Sequence, residues 1–177
     1  MQAILVVDLG FGDAGKGSLV DYYVRHYRAH TVVRFNGGAQ AAHNVVTPDG
    51  RHHKFSQFGS GTFVPGVRTH LSRYMLVDPV ALLAEERHLR QVGVPDAFAR
   101  LTIDPNAPVV TPFQRAANRL RELQRAAGRH GSCGMGIGET MADLIADPAQ
   151  VLHARDLLRR PSVLERLRRL LFGSRLR

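Results

Sequence analysis

This 177-residue sequence predicts an α/β fold with a mostly parallel central sheet and flanking helices. Three observations carry that expectation. The apolar run Ala3–Val7 ends in a glycine-rich turn that opens a helical stretch; a second strand-like run, Thr31–Phe35, follows; and strand-like and helix-like segments then alternate to about residue 127. Strand, helix, strand in that order is a βαβ unit, whose two strands are expected to pair in parallel.

Each element has its own signal. Ala3-Ile4-Leu5-Val6-Val7 has the length and composition of a buried strand, and Ser18–Arg28 reads as the helix after it. Beyond Thr31–Phe35, the runs Asn44–Val46 and His53–Phe58 flank Pro48-Asp49-Gly50 as the arms of a hairpin. Tyr74–Val77 is a short apolar strand. Asp78-Pro79 then supplies an N-cap and a first-turn proline for a helix that runs to about Val92 and stops at Gly93. Leu101–Ile103 reads as a strand, and Thr111-Pro112 starts a helix through roughly Ala127, ahead of Gly128. Ser162-Val163-Leu164-Glu165 is a capping box before the stripe Leu164, Leu167, Leu170 and Leu171, giving a basic amphipathic helix at about 161–172. With no internal repeat and no low-complexity linker, residues 1–177 are expected to form one domain.

Composition narrows the class. The 44% hydrophobic and 22% charged content are those of a globular protein, and no apolar run approaches the ~20 residues of a membrane span. The N-terminus lacks the pattern of a signal peptide, and Cys133 is the only cysteine, so a reducing, cytoplasmic setting is expected. The net charge of +9 is concentrated at one end, where eight arginines between Arg155 and Arg177 face only Asp156 and Glu165. Without interleaved aromatics that segment reads as a solvated helix face, and nucleic acid is not an expected partner.

The chemistry is concentrated in three glycine clusters. The first is Gly10-Phe11-Gly12-Asp13-Ala14-Gly15-Lys16-Gly17-Ser18, where a strand-to-helix turn aims backbone amides and a helix start at an anion. Lys16 is one of only two lysines among the 24 basic residues, and a compact ammonium is not interchangeable with a guanidinium on phosphate. The loop nearly fits the P-loop pattern, but Gly17 stands where a magnesium-binding Ser or Thr belongs. The second cluster, Arg34-Phe35-Asn36-Gly37-Gly38-Ala39-Gln40-Ala41-Ala42-His43-Asn44, follows the second strand. Ligand crevices lie at the carboxyl ends of parallel strands, so the two loops are expected to be neighbours, with Asp13 and His43 facing a phosphate. The third cluster is His130-Gly131-Ser132-Cys133-Gly134-Met135-Gly136-Ile137-Gly138-Glu139-Thr140.

These residues carry a resemblance. Gly12-Asp13-Ala14-Gly15-Lys16-Gly17-Ser18-Leu19-Val20-Asp21 resembles the W-G-D-E-G-K-G-K-I-V-D signature of the adenylosuccinate synthetase family. Val33–His43 is similar to that family's V-V-R-Y-Q-G-G-H-N-A-G-H, Gly131–Gly138 to its T-T-G-R-G-I-G loop, and Val77–Leu82 to its V-L-S-P-A-A-L helix start. The resemblance implies an adenylosuccinate synthetase-like α/β fold with a P-loop-like GTP-binding loop, acting as a ligase that joins IMP and L-aspartate at the expense of GTP in purine nucleotide biosynthesis. Asp13, His43 and Lys16 would be catalytic: Asp13 as base toward N1 of IMP, His43 on the transferring phosphoryl group, Lys16 on the GTP phosphates. The resemblance further implies a GTP site of Gly12, Asp13, Gly15, Lys16, Gly17, Ala42, His43 and Asn44. An IMP site of Asp13, Gln40, Ala41 and Cys133 is implied as well, with Mg2+ held by Asp13 and the carbonyl of Ala42. A homodimer is implied too.

The sequence also departs from the family. Ala39 and Gln40 replace a His-Asn pair, Cys133 and Met135 stand at threonine and arginine positions, and Glu139–Asp147 has no counterpart of the arginine sent to a partner subunit. Family members are more than twice as long. The alternative reading is therefore a truncated relative that binds purine nucleotide and magnesium without turnover.

Overall fold

The computed structural model describes residues 2–10, 12–129 and 131–158, so the expected helix at about 161–172 lies outside the described residues. The described residues form two compact units, one drawn from 1–34, 41–70 and 80–102, the other from 35–40, 71–79 and 103–158. In chain order the elements are α1 (Lys16–Tyr27), β1 (Thr31–Gly37), β2 (His43–Val46), β3 (His52–Phe55), β4 (Arg68–Met75), α2 (Pro79–Gln91), β5 (Leu101–Ile103), α3 (Pro112–Gln124) and α4 (Ile137–Ala146). None of the described helices is long and apolar enough to cross a membrane.

The main sheet has the strand order β1-β4-β5. Its strands run parallel: Arg68 N donates to His30 O and Leu76 N to Gly37 O, while Thr102 Oγ1 donates to Thr69 O and Asp104 N to Leu71 O, so partner positions rise together along each pair. The α/β architecture with a parallel sheet is thus as expected, but its membership differs. Ala3–Val7 forms no strand, and Ile4, Leu5, Val7 and Leu9 are 42, 82, 69 and 97% exposed. An apolar run becomes a strand only where a ladder partner exists, and β1 takes β4 as its neighbour. The expected βαβ unit around α1 is therefore not formed.

In the first unit, α1 buries Gly17, Asp21 and Val24, and the antiparallel hairpin β2-β3 pairs His43 with Phe55 and Val46 with His52. The second arm stops at Phe55 rather than Phe58 because the next three amides are claimed by α2. Buried Glu85 accepts from Ser56 N at 3.0 Å, Ser56 Oγ at 2.8 Å, Gln57 N at 2.7 Å and Phe58 N at 3.3 Å. Arg34 closes the same segment from β1, its buried guanidinium donating to the carbonyls of Ser56 at 3.0 Å, Phe55 at 3.4 Å and Phe58 at 3.5 Å. Phe55 and Phe63 meet edge to face at 5.3 Å, and with Phe58, Leu82 and Leu89 they form the apolar centre of this unit.

In the second unit, Val77 bridges in parallel to Val109, and Val109 N donates to Leu152 O at 2.7 Å. Leu71, Met75, Val77, Val109, Val110 and Val151 are all buried there. The capping box of Thr111 and Gln114 with Pro112 starts α3, one residue after the expected Thr111-Pro112 signal begins. Helix α4 begins inside the third glycine cluster: a Cβ on Gly136 would lie 2.7 Å from Arg115 N and 2.8 Å from Gln114 C, so only glycine lets α4 start against the first turn of α3. Part of that cluster is accordingly a packing device.

Candidate functional site

The first unit gathers the first glycine loop and the start of the hairpin. Lys16 is the first residue of α1, and its ammonium donates to Asp8 Oδ2 at 2.5 Å and to the carbonyl of Gly12 at 3.0 Å. Gly17 is buried directly against β2. A Cβ there would meet His43 Cβ at 2.8 Å and the carbonyl oxygen of Asn44 at 2.9 Å, which leaves no room for a Ser or Thr side chain. Ser18, one position later, donates its hydroxyl to that same carbonyl at 3.3 Å. The departure from the P-loop pattern at Gly17 thus has a steric cause.

His43 is half-buried at the head of β2, and its pKa is lowered from 6.5 to about 4, first by burial, then by the positive charges of Arg34 and Lys16. The imidazole is neutral near pH 7 and able to donate one hydrogen bond and accept another. Asn44 presents Oδ1 to His52 Nε2 at 2.5 Å across the hairpin. Gly12, Asp13, Gly15, Ala41 and Ala42 are exposed, and no hydrogen bond or ion pair engages the Asp13 carboxylate among the described residues. Of the expected nucleotide residues, then, Lys16, Gly17, His43 and Asn44 are brought together within this unit.

Gln40 and Cys133 belong to the second unit. A Cβ built on Gly38 would lie 2.4 Å from Ile137 Cδ1 and 2.9 Å from Gln40 Oε1, so Gln40 and the end of the third cluster converge on Gly38. Cys133 is an exposed free thiol in the segment between α3 and α4. Next to it, the buried carboxylate of Glu122 accepts from Gly131 N at 3.1 Å and Ser132 N at 3.4 Å, while Asn118 donates to Ser132 Oγ at 3.1 Å. These backbone amides are occupied by the protein's own carboxylate.

The sequence pattern of the adenylosuccinate synthetase family matches residues 5–175. The chain belongs to that family. Adenylosuccinate synthetase from Psychrobacter cryohalolentis is 35% identical over 168 residues, an alignment covering 95% of this chain and 38% of the relative. That from Neisseria gonorrhoeae is 34% identical over 164 residues, covering 93% and 37%. The chain therefore spans a little over a third of the length of these synthetases. Among solved structures, fully ligated adenylosuccinate synthetase from Plasmodium falciparum superimposes with a TM-score of 0.78 at 19% identity, over 90% of this chain and 36% of that one. Succinoaminodeoxyadenylate synthetase of cyanophage S-2L, solved with dGMP and dATP, gives 0.65 at 24% identity, over 89% and 42%. The α/β fold is thus that of the adenylosuccinate synthetases.

Two site residues escaped the sequence reading. Asp8 holds Lys16, and its only signal was a carboxylate placed between the apolar run and the first glycine of the loop. Arg34 helps keep His43 neutral, although an arginine within a strand-like run gives no hint of burial. A magnesium ion suits the donors at hand: the free carboxylate of Asp13 and the exposed Ala42 carbonyl are hard oxygen ligands. Among the described residues no group of three or more Asp, Glu, His or Cys side chains is placed to hold a metal ion.

Proposed function

We propose that residues 1–177 form the nucleotide-activating portion of a GTP-dependent ligase that joins IMP and L-aspartate in the cytoplasm. Support comes chiefly from one observation: Gly17 seats the lysine loop directly on His43, whose ring is held neutral beside Lys16. In this reading Lys16, with the amides of Gly15 and Gly17, binds the GTP phosphates, and Gly12 and Asn44 complete the GTP site. Asp13 accepts the N1 proton of IMP as O6 bonds to the γ-phosphorus and the bond to GDP breaks. His43 donates a hydrogen bond to the transferring phosphoryl oxygen from its neutral ring. The amino group of aspartate then bonds to C6, and phosphate departs with O6. Gln40, Ala41 and Cys133 are the residues that the family resemblance implies for IMP. Magnesium bound by Asp13 and the Ala42 carbonyl would neutralise phosphate charge. A homodimer is the assembly the family suggests.

Phosphate release from GTP, measured with IMP and aspartate each omitted in turn, tests the proposal. Release that requires both supports it, and Asp13→Ala should then abolish it while leaving the melting curve in place. Release indifferent to IMP and aspartate would overturn it. A second reading is nucleotide binding without turnover. Magnesium-dependent GTP binding with no phosphate release distinguishes that case.

A further inference from the structure

We propose that Asp8 is a built-in counter-anion of the lysine loop, one that a nucleotide polyphosphate must displace in order to bind. This rests on the reading of that loop as a phosphate site. The two carboxylate oxygens of Asp8 engage two different donors of the loop: Oδ1 accepts from the Gly10 backbone amide at 2.8 Å, and Oδ2 accepts from the Lys16 ammonium at 2.5 Å. One oxygen on a backbone N–H and another on the lysine is how a phosphate group would engage such a turn. The ammonium has three protons, and a second is spent on the Gly12 carbonyl at 3.0 Å, leaving one for an incoming anion.

The contact is short and partly sheltered, with Lys16 and Asp8 side chains 25 and 10% exposed. The lysine hydrogen bond, followed by that of the Gly10 amide, holds the Asp8 carboxyl below the usual carboxylate range, so the counter-anion is fully charged at neutral pH. An arriving phosphate has two courses. Either it takes Lys16 and the Gly10 amide from Asp8, or it binds with the carboxylate still in place and meets its negative charge at close range. Both weaken binding, and the penalty falls hardest on ligands with too little charge to replace two contacts. Asp8 thus favours polyphosphates over single phosphate groups.

The test is calorimetric titration of inorganic tripolyphosphate without metal, and of GTP with Mg2+, at fixed ionic strength. Asp8→Asn removes the charge, and Asp8→Ser removes it while keeping a hydroxyl acceptor for the Gly10 amide; a melting curve accompanies each. Both variants should bind tripolyphosphate about tenfold more tightly than the parent, the size of one charge-assisted contact. The gain should vanish in a Lys16→Met background. Unchanged or weaker tripolyphosphate binding by a folded Asp8 variant would overturn the inference while leaving the phosphate site standing. Weaker binding seen only with Mg2+ would make Asp8 a metal ligand and overturn it too. If the parent binds neither ligand in a Lys16-dependent way, the nucleotide reading itself falls, and this inference with it.

Discussion

Gly17 shows how a single position can be dictated by its neighbour rather than by its ligand. Gly17→Ala should force His43 and the Asn44 carbonyl away from α1, at a cost of about 1–3 kcal/mol, read as a lower melting temperature; an unchanged melt would remove the steric account. His43 makes a second prediction. Its folded pKa of about 4 lies below the ordinary 6.5, so the stability its neutral ring confers is complete above pH 6.5 and is lost as pH falls toward 4. An NMR titration of the imidazole should therefore show no inflection between pH 6 and 7, and a normal histidine curve there would contradict the burial argument. That the Lys16 loop and His43 are neighbours was legible in the sequence from the order of the two glycine clusters, and Gly17 packs against His43. Asp8 and Arg34 were not, since their roles lie in which atoms they reach, and an isolated charge in a run of apolar residues carries no address.

Among the elements, α2 matters for what it holds rather than for its own length. Glu85→Ala would leave four donors of residues 56–58 without their acceptor, at a cost of about 3–5 kcal/mol in denaturant unfolding, where an exposed helical carboxylate would cost almost nothing. At α3, Thr111→Val should cost about 1 kcal/mol through loss of the capping box, measured the same way. The helices with caps or terminal prolines, α2 and α3, were readable to within a few residues because those signals are local. Strand β4 was caught only at its end: Arg68, His70 and Arg73 mask an alternation in which Thr69 and Leu71 point inward, and Thr69 is buried as an acceptor for the Gly59 amide. Helix α4 was missed because its start looks like loop, the glycine there serving a close approach to α3. Ala3–Val7 failed in the opposite direction, since apolar composition records a tendency to pair and says nothing of the partner.

The chain has the fold of a family whose members named above are well over twice its length, and among the described residues the strand-like segment 3–7, which has no ladder, lies immediately before the lysine loop. Amide hydrogen exchange should therefore be fast across residues 3–7 and slow in β4, whose neighbours flank it on both sides; protection of residues 3–7 equal to that of β4 would show that the segment does find a partner in solution. The pairing of Lys16 with Asp8 has one more consequence, this time for chemical footprinting. Side-chain amines occur at only two places in the chain, the sheltered Lys16 and the exposed Lys54 on β3. Among side chains, an amine-selective acylating reagent would thus find one shielded target and one open one in the same molecule. The ratio of the two adducts by mass spectrometry would report occupancy of the loop with an internal standard supplied by the protein itself.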